Sequence, residues 1–248
     1  MIPGWYGKLP TLGDFASRRL DADFIEPWDL WLGEGLAAHR EQLGEAWLDS
    51  YLKSPVWRFV LMPGVTSTTQ TQAVAGVLMP SVDRVGRYFP LTLAMPLTRL
   101  PFDAAGIERL LGWLHTLEDV AIDALHDDWT VEQLEDVLAG LPAFEDTNAV
   151  AETPLDATRR SLEQTIASGG GFVDIGAIAS RSQLAGLLVG GAGASVVAAL
   201  PSLAGSAFWL ADVPGEGRLL VSRGLPAREQ FVQTLGATGR EPGQVTVF

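Results

Sequence analysis

The sequence contains no cysteine, which excludes disulfides, thiolate nucleophiles and thiolate metal sites together and suits a reducing compartment. Histidine is scarce as well. His39, His115 and His126 are the whole supply, and no two of them stand four residues apart as a helical zinc motif requires. The one run of His beside carboxylates in the sequence, His126-Asp127-Asp128, has the look of a helix C-terminus with solvated acids. No Gly-x-Ser-x-Gly elbow occurs, so a serine nucleophile has no recognisable setting. No apolar run approaches the ~20 residues a bilayer span needs, and MIPGWYGKLP has neither the basic lead nor the apolar stretch of a secretory leader. These absences lead us to expect a cytoplasmic chain without membrane insertion, catalytic residues, metal ligands or cofactors.

What is present is apolar material in quantity. Hydrophobic residues make up 47% of the 248 positions against 19% charged, with eight Trp and ten Phe, enough to offset chain entropy in a packed core. The formal charge of −13 is concentrated: residues 1–99 hold nine Lys/Arg against ten Asp/Glu, residues 100–163 hold three against fifteen, and residues 164–248 hold five against five. An acidic centre of that strength repels phosphate backbones and anionic lipid, so nucleic acid is an unsuitable partner. We expect a single domain over 1–248, with an N-terminal region at 1–99, an acidic helical segment at 100–168 and a strand-rich region at 169–248.

Residues 1–23 are rich in Gly, Pro and charge and predict an ordered loop, because Trp5, Tyr6, Leu9, Leu12 and Phe15 require burial. Pro27 suits the first turn of a helix. From it Trp28, Trp31, Leu32, Leu36, Leu43, Trp47, Leu48 and Tyr51 continue at helical spacing to the stop at Ser54-Pro55. Three apolar runs, Trp57 to Met62, Val74 to Met79 and Tyr88 to Met95, predict an antiparallel meander. A helix follows from Ala104 on Ile107, Leu110, Leu111, Leu114, Leu117, Ala121 and Leu125, with Glu118 placed off that apolar face. A shorter one is set on Val131, Leu134, Val137 and Leu138, and a third over residues 156–168. Strands are expected at 172–179, 185–189, 207–211 and 218–222, and a closing helix at 227–235. Helices between strands indicate a layered α/β or α+β domain with a mixed sheet.

One segment imitates a dinucleotide-binding turn. Leu187 to Ser195 reads LLVGGAGAS, and Asp212 lies 19 residues beyond Gly193, where a ribose-binding acid would stand. In the Gly191-x-Gly193 register, however, Val196 replaces the third glycine and Pro201 shortens the following helix to about two turns. A small-molecule or nucleotide-binding enzyme using Gly190 to Gly193 and Asp212 is the alternative reading.

The informative segments lie where propensity predicts only loops. Asp83, Arg84 and Arg87 put opposite charges between two strands, where Ser81 or Asp83 can bond backbone N–H groups and either arginine can pair a carboxylate such as Asp14. Two roles remain open for them: holding the loop against the sheet, or meeting a partner. In the expected division, Asp83 and Arg84 hold the loop while Arg87 or the Arg18/Arg19 pair supplies charge to a partner.

These stretches resemble the TagF (ImpM) family of type VI secretion-associated proteins. The likeness runs in order through Tyr6-Gly7-Lys8-Leu9-Pro10 to Gly13-Asp14-Phe15, Arg18-Arg19-Leu20, Pro27-Trp28, Ser54-Pro55-x-Trp57-Arg58-Phe59 and Pro80-Ser81-Val82-Asp83-Arg84-Val85-Gly86-Arg87. It is strong over residues 4–96, fades across 100–200, and returns at Phe208-Trp209, Arg223 to Pro226 and Phe231. The resemblance implies a three-layer α/β/α sandwich with no catalytic site. It also implies a protein that restrains assembly or firing of the secretion apparatus after translation, through association with a forkhead-associated scaffold protein. Carried over residue by residue, it marks Lys8, Asp14, Arg18, Arg19, Trp57, Arg58, Ser81, Asp83, Arg84 and Arg87 as partner-binding or motif-structural positions.

Overall fold

The computed structural model describes residues 1–98, 101, 104–142, 144, 172–178, 203–213 and 216–235. The expected helix at 156–168, the strand at 185–189 and the glycines at 190–193 lie outside these residues. The described elements begin with strands β1 (Gly4–Gly7) and β2 (Ala16–Arg18), helix α1 (Ala22–Leu43), a 3-10 turn (Gly44–Ala46) and helix α2 (Trp47–Leu52). Strands β3 (Trp57–Leu61), β4 (Ala73–Met79) and β5 (Leu91–Leu97) follow, then helices α3 (Ala104–His126) and α4 (Val131–Gly140). Strands β6 (Phe172–Ile178), β7 (Ser206–Val213) and β8 (Glu216–Arg223) and a helix α5 (Arg228–Leu235) complete them.

The strands form one eight-stranded sheet in the order β2-β1-β5-β4-β3-β7-β8-β6, and every pairing in it is antiparallel. This overturns the expected three-layer α/β/α sandwich with a mixed sheet: the chain builds an antiparallel, mainly β fold organised by that sheet. The reason is connectivity. Parallel neighbours need a helical crossover between adjacent strands, whereas here β3, β4 and β5 are consecutive hairpin partners and so are β7 and β8. Helices α1 to α4 fall between strands that do not pair with each other, β2 with β3 and β5 with β6, and α5 follows the last strand. Interleaving along the sequence was therefore not evidence of a crossover.

Both faces of the sheet are covered, which explains why β3 and β4 are buried along their whole length and, Arg58 apart, carry no charged or polar side chain. Val60, Ala75, Val77, Leu93 and Leu210 pack with Leu110, Leu114, Leu117 and Ala121 of α3 and Leu134 and Leu138 of α4. On the opposite face Phe59, Leu78, Ala94 and Trp209 pack with Trp28, Trp31, Leu32 and Leu36 of α1, Tyr51 of α2 and Phe231 of α5. Burial of that many large side chains, at ~1.5–3 kcal/mol each, holds the layers together. The β3–β7 pairing sets Phe59 opposite Trp209, joining strands from distant regions of the chain.

Three local expectations needed correction. Residues 4–7 and 16–18 are strands, not loop: Trp5 and Tyr6 send buried rings to opposite faces, and two such residues between glycines are too short a run to read as a strand. Helix α1 starts at Ala22, so Pro27 lies inside it rather than in its first turn, and the aromatic stripe beside it outweighs the lost hydrogen bond. The helix expected to continue to Tyr51 breaks at Gly44, whose φ of 53° is left-handed, and restarts at Trp47. Among the described residues no helix is long and apolar enough to cross a membrane.

Candidate functional site

The β4–β5 connection carries the chain away from Met79 and back to Leu91, and its polar residues are fully engaged at the base. Buried Tyr51 grips Ser81 twice: its hydroxyl accepts from the Ser81 N–H at 2.9 Å and donates to the Ser81 carbonyl at 3.0 Å. The Ser81 hydroxyl donates to the Lys8 carbonyl at 2.8 Å, tying this loop to the segment after β1.

Asp83 is the centre of the arrangement. Its carboxylate accepts from the Val85 N–H at 3.0 Å, the Arg87 N–H at 2.9 Å, Arg87 Nε at 2.6 Å and Lys8 Nζ at 2.7 Å. Burial by itself would raise the pKa of this group, but Lys8 and the Arg87 and Val85 donors outweigh it and hold the carboxyl well below the usual carboxylate range. The backbone turn is closed by the Gly86 N–H on the Asp83 carbonyl at 3.0 Å, with Gly86 at φ 81°, where a side chain would be strained. The second loop, residues 8–15, is clamped to the first. The Arg84 N–H donates to the Leu12 carbonyl at 3.0 Å, and the Arg87 guanidinium donates to the Gly13 carbonyl. Lys8 Nζ also lies 4.5 Å from the centroid of the Phe15 ring, which meets Phe89 edge-on at 4.8 Å.

The other positions named from the sequence separate into different places. Trp57 is wholly buried in the α1-side core. Arg19, at φ 56°, forms a two-pronged pair with Glu135 of α4 at 2.5 and 2.9 Å, and Glu135 also accepts from Trp5 Nε1 at 2.6 Å. The Arg19 bond is the main reason the Glu135 carboxyl sits below its ordinary pKa. Arg18 is exposed, and among the described residues its guanidinium bonds only the neighbouring Ser17 carbonyl, at 2.8 Å. Asp14 accepts from the Phe15 N–H at 2.9 Å and pairs with neither Arg84 nor Arg87, contrary to expectation. The expected division of labour holds for Asp83 but is exchanged between the two loop arginines. Arg87 holds the loop, whereas the exposed Arg84 guanidinium has no partner among the described residues.

Arg58 anchors a second polar cluster, on the α3 side of the sheet. Its guanidinium donates to Asp212 at 2.7 Å and stands 3.5 Å from Glu118, which in turn is 3.4 Å from His115 Nδ1. Burial raises the Glu118 pKa, against the pull of Arg58 and His115. His115, Glu118 and Asp212 each bring a possible ligand atom within 4.8 Å of the others. The guanidinium already supplies the positive charge there, and a metal ion would compete with it for both carboxylates. Asp212, the acid set against a ribose in the alternative reading, pairs with Arg58 through Oδ2 while its side chain stays largely exposed.

Glu118, Glu135 and Tyr51 were missed as partners. Glu118 stands four residues after Leu114 and three before Ala121, so it is an acid on the apolar stripe, which is the signal that could have exposed it. Nothing local marks Glu135 or Tyr51, whose partners are remote in sequence.

Fold and site together define an antiparallel-sheet protein in which the motif residues Lys8, Asp83 and Arg87 brace two neighbouring loops. Residues 4–141 match the family described as the TagF N-terminal domain, type VI secretion system-associated, and the chain belongs to that family. It is similar over 96% of both chains to the crystal structure of PA0076 from Pseudomonas aeruginosa PAO1, at 32% identity and a TM-score of 0.65. No curated protein matches the chain in sequence. It is thus a type VI secretion-associated protein.

Proposed function

We propose that this chain is a non-enzymatic cytoplasmic regulator that restrains assembly or firing of a type VI secretion system after translation, by associating with the system's forkhead-associated scaffold protein. Family membership supports the secretion context. The observation that carries the interaction reading is the clamped pair of loops: the groups available for chemistry, Lys8, Asp83 and Arg87, are spent on one another. The side chains exposed on the loops are Asp14 and Phe15 on one and Arg84, Val85 and the half-exposed Arg87 on the other, and of these Phe15, Arg84 and Val85 are not spent on bracing the loops. Rigid, outward-facing apolar and cationic side chains on a braced base suit recognition of another protein.

Two measurements test this. Deleting the gene should increase secretion, and the purified chain should bind the purified scaffold; secretion unchanged in the deletion strain would sink the regulatory role. For the nucleotide-binding alternative, a ligand at a hundredfold excess over its Kd would stabilise the fold by ~2.7 kcal/mol. A shift of that size with NAD or a nucleoside triphosphate would favour an enzyme.

A further inference from the structure

The two clamped loops differ in charge from the rest of the molecule. Lys8, Arg84 and Arg87 against Asp14 and Asp83 leave residues 8–15 and 81–87 at +1, within a chain of formal charge −13. Inside that small basic island the cations are not equivalent. Lys8 is buried against Asp83, and Arg87 spends its Nε–H on Asp83 and an amino N–H on the Gly13 carbonyl. Arg84 is fastened only by its backbone, through the Leu12 carbonyl, so its whole guanidinium fork is presented to solvent on a fixed base.

Two exposed apolar side chains belong to the same pair of loops. Val85, next to Arg84, is 64% exposed, and Phe15 is 44% exposed. Neither loop is slack beneath them, because Phe15 is wedged against Phe89 and Tyr6 at 4.8 and 6.1 Å, and the Val85 N–H is held by Asp83. Scattered exposed apolar residues are ordinary on a protein surface. Here they sit on a backbone locked by a buried ion-pair network, beside an unspent arginine, and such a site loses little entropy when it binds.

We infer that Phe15, Arg84 and Val85 form the docking surface of this chain, and that its occupant is an acidic protein segment carrying an apolar anchor side chain. Charge complementarity selects that occupant: the guanidinium fork matches a carboxylate in two-pronged geometry. The acidic remainder of the chain repels extended polyanions such as phosphate backbones and anionic membranes, so the acidic stretch that binds is short enough to meet Arg84 locally, within a screening length of the two loops. The inference rests on the proposed function in taking the scaffold protein as the bearer of that segment.

The test measures binding of the full chain to the purified forkhead-associated scaffold by biolayer interferometry, at about 50 and about 300 mM salt, where screening tightens. Arg84→Glu should weaken binding about tenfold or more, largely through the on-rate and more so at low salt. Val85→Asp should raise the off-rate. Both variants should melt like wild type, since neither side chain has an internal role, and Leu30→Asp, a control at an equally exposed site on α1, should bind normally. Normal binding by both Arg84→Glu and Val85→Asp overturns the inference while leaving the proposed function intact. If the wild-type chain does not bind the scaffold, the proposed function falls, and a photo-crosslinker at position 85 in the native cytosol decides the surface. An adduct on an acidic peptide supports it only where the same crosslinker in the Arg84→Glu chain no longer forms it, and an adduct that persists in that variant overturns it. An adduct on phospholipid or on a basic peptide, or none above that of a crosslinker at position 30, overturns it.

Discussion

Truncating Trp57 to alanine separates a core role from an interface role at a residue that the motif pattern left ambiguous. Trp57 opens β3, is fully buried, and packs on the α1 side of the sheet. Arg218 of β8 lies on that side too, its guanidinium carbon 5.8 Å from the ring centroid. Removing a buried indole from such a place costs the transfer free energy of the ring and leaves a cavity, together ~3–5 kcal/mol. The cation–π contact contributes ~0.5–1 kcal/mol within that range. In a chain of this size each kcal/mol lowers Tm by ~2–4 °C, so Trp57→Ala should melt ~6–20 °C below wild type. Urea unfolding followed by circular dichroism gives the free energy directly, and the midpoint should fall at an unchanged m-value. Trp57→Phe should land between the two. A loss below about 1 kcal/mol for the alanine variant would refute the core assignment and make Trp57 an interface residue instead.

Gly35 of α1 faces Phe231 of α5 so closely that an added Cβ would lie 2.1 Å from the ring. Because Phe231 is itself buried, Gly35→Ala should cost ~1–3 kcal/mol, with faster amide exchange in α5. Asp83→Ala should lower Tm at neutral pH. The folded pKa of Asp83 is depressed, so its contribution is present above the unfolded value near ~3.9 and is lost as pH falls further. The gap between variant and wild type should therefore close in strong acid, and a gap that is independent of pH would count against the ionic role. His39 is buried with its pKa lowered by desolvation, so the folded chain takes up this proton only at a lower pH than the unfolded chain, which protonates below ~6.5. Wild-type Tm should thus decline as pH drops below that value, and His39→Gln should show a shallower slope; equal slopes would remove His39 as the cause.

Much of the architecture was legible along the chain, because burial imposes a period on it. The helix on Leu110, Leu114 and Leu117, the shorter one on Leu134 and Leu138, and the meander of β3, β4 and β5 all follow from spacing that any core-facing helix or strand must keep. The motif segments that resembled TagF also led to the correct family. What periodicity does not encode is which strands become neighbours. That β1 pairs β5, that β3 pairs β7, and that the sheet is antiparallel throughout depend on contacts between residues far apart in sequence. The same limit applied to the charges. Residue types predicted that Asp83 would brace its loop, but not that Lys8, 75 positions earlier, would supply the buried cation. Nor could they tell that Arg19 would be spent on Glu135 or Arg58 on Asp212. An ion pair is set by distance and burial, which exist only once the sheet has assembled. Only then is Arg84 left as the motif arginine with its whole guanidinium turned outward.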